Sequence, residues 1–305
     1  MRLFDLHCDT LYECYTKDVS LDKNTLHVDM ERGSKFDRWI QVFAVWMPDG
    51  VRGEEAWRQC AAILQSAHHF AARYPQMFQI ARKAENLNTE SSSPVCTAIL
   101  AVEGGSALNG DLLHLNDLNR MNVKVVTITW NGSNELGHGC GSGCTDGLTA
   151  FGKAAVRRME ELGIIPDVSH LNEQGFWDVA EQTKRPFIAS HSVSAAVHPH
   201  VRNLTDAQFL TIVERGGLVG LNLCEQQLGA RGADALERHL YHYLCLGGEH
   251  TVALGCDLDG TDLPPEWGGI QVMPLLYEAL LRKNYEESLV DRLFFGNCYD
   301  FFTQL

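Results

Sequence analysis

Eight short apolar runs recur along the chain, alternating with segments of helical periodicity. The runs are LFDLHC near Leu3, WIQVFAVWM near Trp39, TAILAVEGG near Thr97, VKVVTITW near Val123, GIIPDVSH near Ile164, PFIASHS near Phe187, LVGLNL near Leu218 and TVALGCDLD near Val252. Such runs are apolar at successive positions, so both faces need cover, which is the condition of strands in a parallel sheet. The intervening patterns predict helices over 54–74, 149–162, 173–182, 205–215 and 233–246, with Gly163 placed to cap the second of these. Strict strand–helix alternation predicts an α/β chain closed as a TIM-type (β/α)8 barrel, with a doubly wound open sheet as the alternative. No linker divides the 305 residues, so one barrel domain over 1–305 is expected, with 86–94 (NLNTESSSP) as a surface loop.

Charge narrows the partners. With 39 acidic and 25 basic residues the net charge is −14, which disfavours a nucleic-acid or anionic-membrane surface. Met1-Arg2 leads directly into a strand-like run, no apolar run is long enough to span a bilayer, and the terminal NCYDFFTQL offers no anchor tail. The 10 cysteines are scattered through apparent strands and helices, and are read as mostly buried thiols in a reducing compartment. Cys140 and Cys144 are read as free loop thiols, with a loop pair as the lesser alternative.

Polar groups gather where strands end. The first run ends in His7-Cys8-Asp9, whose i and i+2 members share a face. The third run ends in Glu103, the fifth in Asp167 and His170, the sixth in His191 and the eighth in Asp257 and Asp259. Barrel enzymes carry their chemistry at these ends. A lone histidine there is more often a hydrogen-bonded core residue than a ligand. Several carboxylates and imidazoles buried together, on separate strands, are costly unless cations hold them. The nitrogen and oxygen donors suit zinc-like ions, and Glu103 has two oxygens with which to bridge a pair. The remaining histidines, His27, His68, His69, His114, His198, His200, His239, His242 and His250, are assigned structural or solvated roles.

The segments DLHCDTL, AVEGG, TITWNGSNELGHG, GLTAFGKAAVRRMEELGIIPDVSH, IASHS, HVRNLTD and GCDLDG, in this order, resemble the renal (membrane) dipeptidase family of zinc peptidases. The resemblance implies two zinc ions, other divalent metals being compatible. One would be held by His7, Asp9 and Glu103, the other by Glu103, His170 and His191. It implies Asp257 as catalytic acid/base, Arg202 as the partner of a dipeptide's terminal carboxylate, and peptide-bond hydrolysis by a metal-bridging hydroxide. Many family members carry a histidine at the end of the fourth strand, where Trp130 stands here. Asn131 or His138 is expected to take over that substrate contact. The mammalian signals for anchoring and glycosylation are missing, which suggests a soluble, bacterial-type, cytoplasmic member, with a homodimer compatible. Two other readings remain. Another binuclear barrel amidohydrolase, of deaminase or lactonase type, is one; those bridged by a modified lysine at the end of the fourth strand are disfavoured because Lys124 starts the fourth run. A catalytically silent binding protein would lack a ligand, and none is missing.

Overall fold

In a computed structural model, residues 1–87 and 95–304 are described, so most of the expected 86–94 loop lies outside the described residues. Nine strands appear among the described residues: β1 (Arg2–Cys8), β2 (Arg38–Trp46), β3 (Phe78–Ile80), β4 (Cys96–Glu103), β5 (Val123–Thr127), β6 (Ile165–Asp167), β7 (Ile188–Ala189), β8 (Leu218–Leu221) and β9 (Val252–Leu254). Every pairing between them is parallel. Leaving β3 aside, they form a ring, since β1 pairs β2 and β9 while β2 also pairs β4. The eight expected runs are the eight ring strands, and the fold is a (β/α)8 barrel. β3 pairs with the start of β4, outside the ring.

The alternation within strands builds two apolar clusters. Phe4, Leu6, Ile40, Val42, Ala44, Ile99 and Ala101 fill the interior, which is closed below by Phe295, Cys298, Phe301 and Phe302. Phe4 stacks on Phe302 with ring centroids 5.3 Å apart. Leu3, Val45, Leu100, Val102, Val219 and Leu254 face the helices instead. In β4 this parity turns Glu103 inward, in phase with Ile99 and Ala101.

β1 breaks the parity. Asp5 pairs with Gln41 and Cys8 with Phe43, so β1 carries one extra residue over that interval. Counted from Phe4 and Leu6, strict alternation would send His7 outward. The bulge shifts the phase, so His7 enters the barrel mouth and Cys8 joins the helix-side cluster.

The helices follow the local signals. Ala150–Leu162 starts at Thr149, whose hydroxyl accepts from Gly152 N, and stops at Gly163 with φ 69°. Asp206–Glu214 begins with a capping box of Thr205 and Gln208. Each such cap contributes about 1 kcal/mol. Gly53–Arg73, Glu173–Gln182 and Ala233–Cys245 match the remaining expected helices to within a residue or so. The cysteines are free, and Cys8, Cys14, Cys60, Cys96, Cys256 and Cys298 are buried.

Candidate metal centre

His7 from β1, Asp9 just after it, Glu103 from β4, His170 after β6, His191 after β7 and Asp257 after β9 converge at the C-terminal mouth of the barrel, all buried. Glu103 faces two ways. Its Oε1 lies 2.9 Å from His170 Nε2 and 3.4 Å from His191 Nε2. Its Oε2 lies 3.7 Å from His7 Nε2, which is itself 3.5 Å from Asp9 Oδ2 and 3.8 Å from Asp257 Oδ1. His170 and Asp257 sit at φ 68° and 58°, left-handed conformations uncommon outside glycine and typical of constrained sites. Gly260 is required beside them, because a Cβ there would collide with the carboxylates of both Asp9 and Asp257.

The outer hydrogen bonds set the tautomers. His170 Nδ1 lies 2.9 Å from Asn131 Oδ1, an acceptor, so Nδ1 carries the hydrogen. His191 Nδ1 lies 2.8 Å from Ser190 Oγ, whose own hydrogen goes to Asp167 Oδ2 at 2.5 Å. Both Nε2 atoms are therefore lone pairs, yet they lie 2.8 Å apart with Glu103 Oε1 beside them. Three lone pairs converging with no hydrogen between them fit a divalent cation. On the other side, buried His7 Nε2 and Asp9 Oδ1 have no hydrogen-bond partner among the described residues, an arrangement that a cation would also satisfy. The donor atoms of His7, Asp9 and Glu103 lie within 4.8 Å of one another, as do those of Glu103, His170 and His191.

Burial and mutual charge shape these groups. Burial, then Arg202, holds the His170 pKa down at about 4, and burial holds His191 well below its usual range. Burial also opposes a charge on His7, but Glu103 and Asp9 outweigh it and hold that pKa well above normal. Asp9 is pushed up to about 8, first by burial and then by Glu103. In the metal-free protein, Asp9 and His7 thus keep protons that the unfolded chain has released by neutral pH. The native state then binds more protons, so stability falls as pH rises from the normal histidine value of 6.5 towards the Asp9 value of about 8. Chelated protein is expected to lose stability across that window by roughly 1–2 kcal/mol per pH unit, while metal-loaded protein does not. Thermal melts of both forms from pH 6.5 to 8 check this, and a flat metal-free profile contradicts it.

A cavity of 870 Å³ opens above the cluster, bordered by Asp9, Glu103, His170, Asp257 and Arg202. Arg202 is buried, with Nη2 3.4 Å from His191 O and Nε unpartnered. Among the described residues no carboxylate pairs with it. Trp130 lines the same wall, edge-on to Trp46 at 4.9 Å. Asn131 also borders the cavity, but its oxygen is committed to His170. His138 does not line it. The Ser133–His138 bridge draws its ring to Ser133 Oγ at 2.7 Å, beside Cys144 and Asp146. Two histidines assigned structural roles, His27 and His200, do border the cavity. Asp259 is occupied, accepting from Thr10 Oγ1 at 2.5 Å and from His27 N at 2.6 Å. Sequence reasoning noted Asp167 at a strand end but gave it no role. Its oxygens accept from Thr127 Oγ1, Ser169 N, Ser190 N and Ser190 Oγ.

The membrane dipeptidase family, peptidase family M19, matches residues 1–304 of this chain. The chain belongs to that family. A metallo peptidase from Rhodobacter sphaeroides, solved with a phosphinate mimic of the dipeptide L-Ala-D-Ala, superposes with TM-score 0.90 at 27% identity, covering 98% of each chain. A structure described as the dipeptidase AC, a metallo peptidase of the same family, gives TM-score 0.90 at 29% identity, over 98% of this chain and 97% of that one. A Klebsiella pneumoniae protein, an uncharacterized protein in the pqqA 5' region, is 32% identical over 254 residues, 79% of this chain and 92% of its own length. This M19 chain is a metal-dependent dipeptidase, a hydrolase of peptide bonds. Among its described residues no helix is long and apolar enough to cross a membrane.

Proposed function

We propose that this dipeptidase works with two zinc ions and cleaves dipeptides with a free C-terminus. The observation that carries the reading is Glu103, which offers one oxygen to His170 and His191 and the other to His7. His7, Asp9 and Glu103 would hold one ion, and Glu103, His170 and His191 the other. When bound, such a pair acidifies water and polarises a carbonyl oxygen.

The chain's own residues do the rest. Asp257 takes the proton of the attacking water and returns it to the leaving amine nitrogen. In the metal-free protein its pKa is pushed up to about 6, by burial first and by Glu103, against the pull of His7. That lies near the range in which one carboxyl both accepts and donates effectively. Arg202 offers a planar, bidentate partner to the substrate carboxylate, a geometry lysine does not reproduce. Its burial without an acidic partner suits a ligand that brings its own negative charge. The dipeptide mimic bound by the Rhodobacter sphaeroides peptidase supports the same substrate class.

Arg202→Ala is expected to lower kcat/KM for free dipeptides by about 2–3 kcal/mol, the cost of a lost charge-assisted pair. C-terminally amidated dipeptides should be poor substrates of the unmodified enzyme and nearly indifferent to the substitution. Equal cleavage of free and amidated dipeptides by the unmodified enzyme would sink the clamp and the preference for free dipeptides together.

A further inference from the structure

The loop HGCGSGCTD, residues 138–146, contributes Cys140 and Gly141 to the cavity wall but turns His138, Cys144 and Asp146 away from it. We propose that these three residues form a separate metal site, which takes one zinc-class ion through an imidazole nitrogen, a thiolate and a carboxylate oxygen. One donor atom from each lies within 4.8 Å of the others. Tetrahedral zinc donors stand about 3.3–3.8 Å apart, given metal–ligand bonds of about 2.0–2.3 Å, so a small rotation of the exposed Asp146 closes the set.

The scaffold is built for the cluster. Asn172, itself buried, ties the backbone of all three donors. Its N–H donates to His138 O at 3.0 Å, and its Nδ2 donates to Cys144 O at 2.9 Å and Asp146 O at 2.8 Å. Ser142 Oγ accepts from Cys144 N at 3.1 Å. Gly143, at φ 71°, lets the chain double back between the serine and the cysteine. Ser133 Oγ holds the His138 ring through Nδ1 at 2.7 Å, the outer bond with which proteins orient a ligating imidazole, so the remaining nitrogen, Nε2, is assigned to the ion.

The donor chemistry differs from that of the barrel centre. A thiolate among the ligands selects a softer ion such as zinc or cobalt over magnesium or calcium. Binding also takes the Cys144 thiol proton, so occupancy rises with pH. The loop reaches the barrel centre through its backbone. Cys140 N donates to His170 O at 2.8 Å, and Gly141 N donates to Asn131 O at 2.9 Å. An ion on this loop therefore braces one barrel ligand, His170, and Asn131, which orients it. None of this depends on the dipeptidase mechanism.

Cobalt separates the two sites. The barrel centre offers only nitrogen and oxygen donors, so a thiolate-to-cobalt charge-transfer band in metal-stripped full-length protein reports the loop alone. The band is expected in the unmodified chain and in Glu103→Gln, and is expected to vanish in Cys144→Ser while the d–d bands of the barrel centre remain. Asp146→Asn, a surface change that leaves the fold intact, should weaken the cobalt titration of that band by about tenfold or more. Absence of the band from the unmodified chain at saturating cobalt overturns the site. So does a band that survives Cys144→Ser and disappears in Cys140→Ser, which would place the ion on the cavity thiol.

Discussion

A Glu103→Gln chain is expected to emerge from metal analysis with both half-sites depleted, and to lose dipeptide hydrolysis by about a thousandfold or more, the several kcal/mol that metal assistance supplies. The carboxylate is shared: one oxygen faces the His170–His191 pair and the other faces His7. An amide keeps one acceptor but replaces the other with a donor, and removes the charge from both sides. Its NH2 must then meet either unprotonated imidazole nitrogens, which accept from it without a metal, or His7. Thermal melts of the chelated variant confirm that the fold survives. With the loop thiol removed by Cys144→Ser so that only the barrel ions are counted, two ions at full occupancy in Glu103→Gln would falsify the bridge, and retention of one would assign Glu103 to a single half.

Asp257→Asn is expected to keep most of the metal and to lower kcat by about a hundredfold or more, the usual scale for a missing general acid/base. The substitution is conservative in shape. Asp257 adopts φ 58°, and asparagine tolerates the left-handed region as well as aspartate does, whereas alanine there would add backbone strain. The acid limb of the pH–rate profile should flatten together with the rate, because the carboxyl that must ionise to act as base is gone. Near-normal kcat in a metal-replete variant moves the role elsewhere. Asp259 is a poor heir, with Thr10 and His27 already donating to its two oxygens.

Much of this was legible in the sequence, for particular physical reasons. The ring strands could be found because parallel strands covered on both faces leave continuous apolar runs. The strand β3 could not, since three residues, Phe78–Ile80, carry no periodicity to read. The histidines and carboxylates of the centre stood out because buried charge is rare at strand ends without a reason. Their orientation was less accessible. The pairing of His7 with Asp9 on one face held, but by parity from Phe4 and Leu6 His7 belongs outside, and only the extra residue in β1 brings it in. Nothing in the run LFDLHC announces a bulge. Asn131 borders the cavity with its oxygen committed to His170, whereas His138 lies outside the cavity in another cluster. Such partnerships are set by loops meeting in space, which sequence spacing does not encode. Ser190 is the clearest omission, since nothing in the sequence marked it, and its hydroxyl curls back to the His191 ring.

Asp5 and Asp167 lie beneath the mouth, each fully buried and, among the described residues, hydrogen-bonded to neutral donors. Asp5 accepts from the backbone of His7 and of Cys256, and so laces the first strand end to the last. Asp167 accepts from the backbone of Ser169 and Ser190, and so laces the ends of β6 and β7. The rim is thus assembled as two separately sewn halves, each presenting its own donors, with Glu103 standing between them. Architecture of this kind is modular. A lineage can erode one half and keep the other in register, because neither knot passes through the neighbouring half. Substitutions confined to one side of the glutamate should therefore leave the donors of the other side in place.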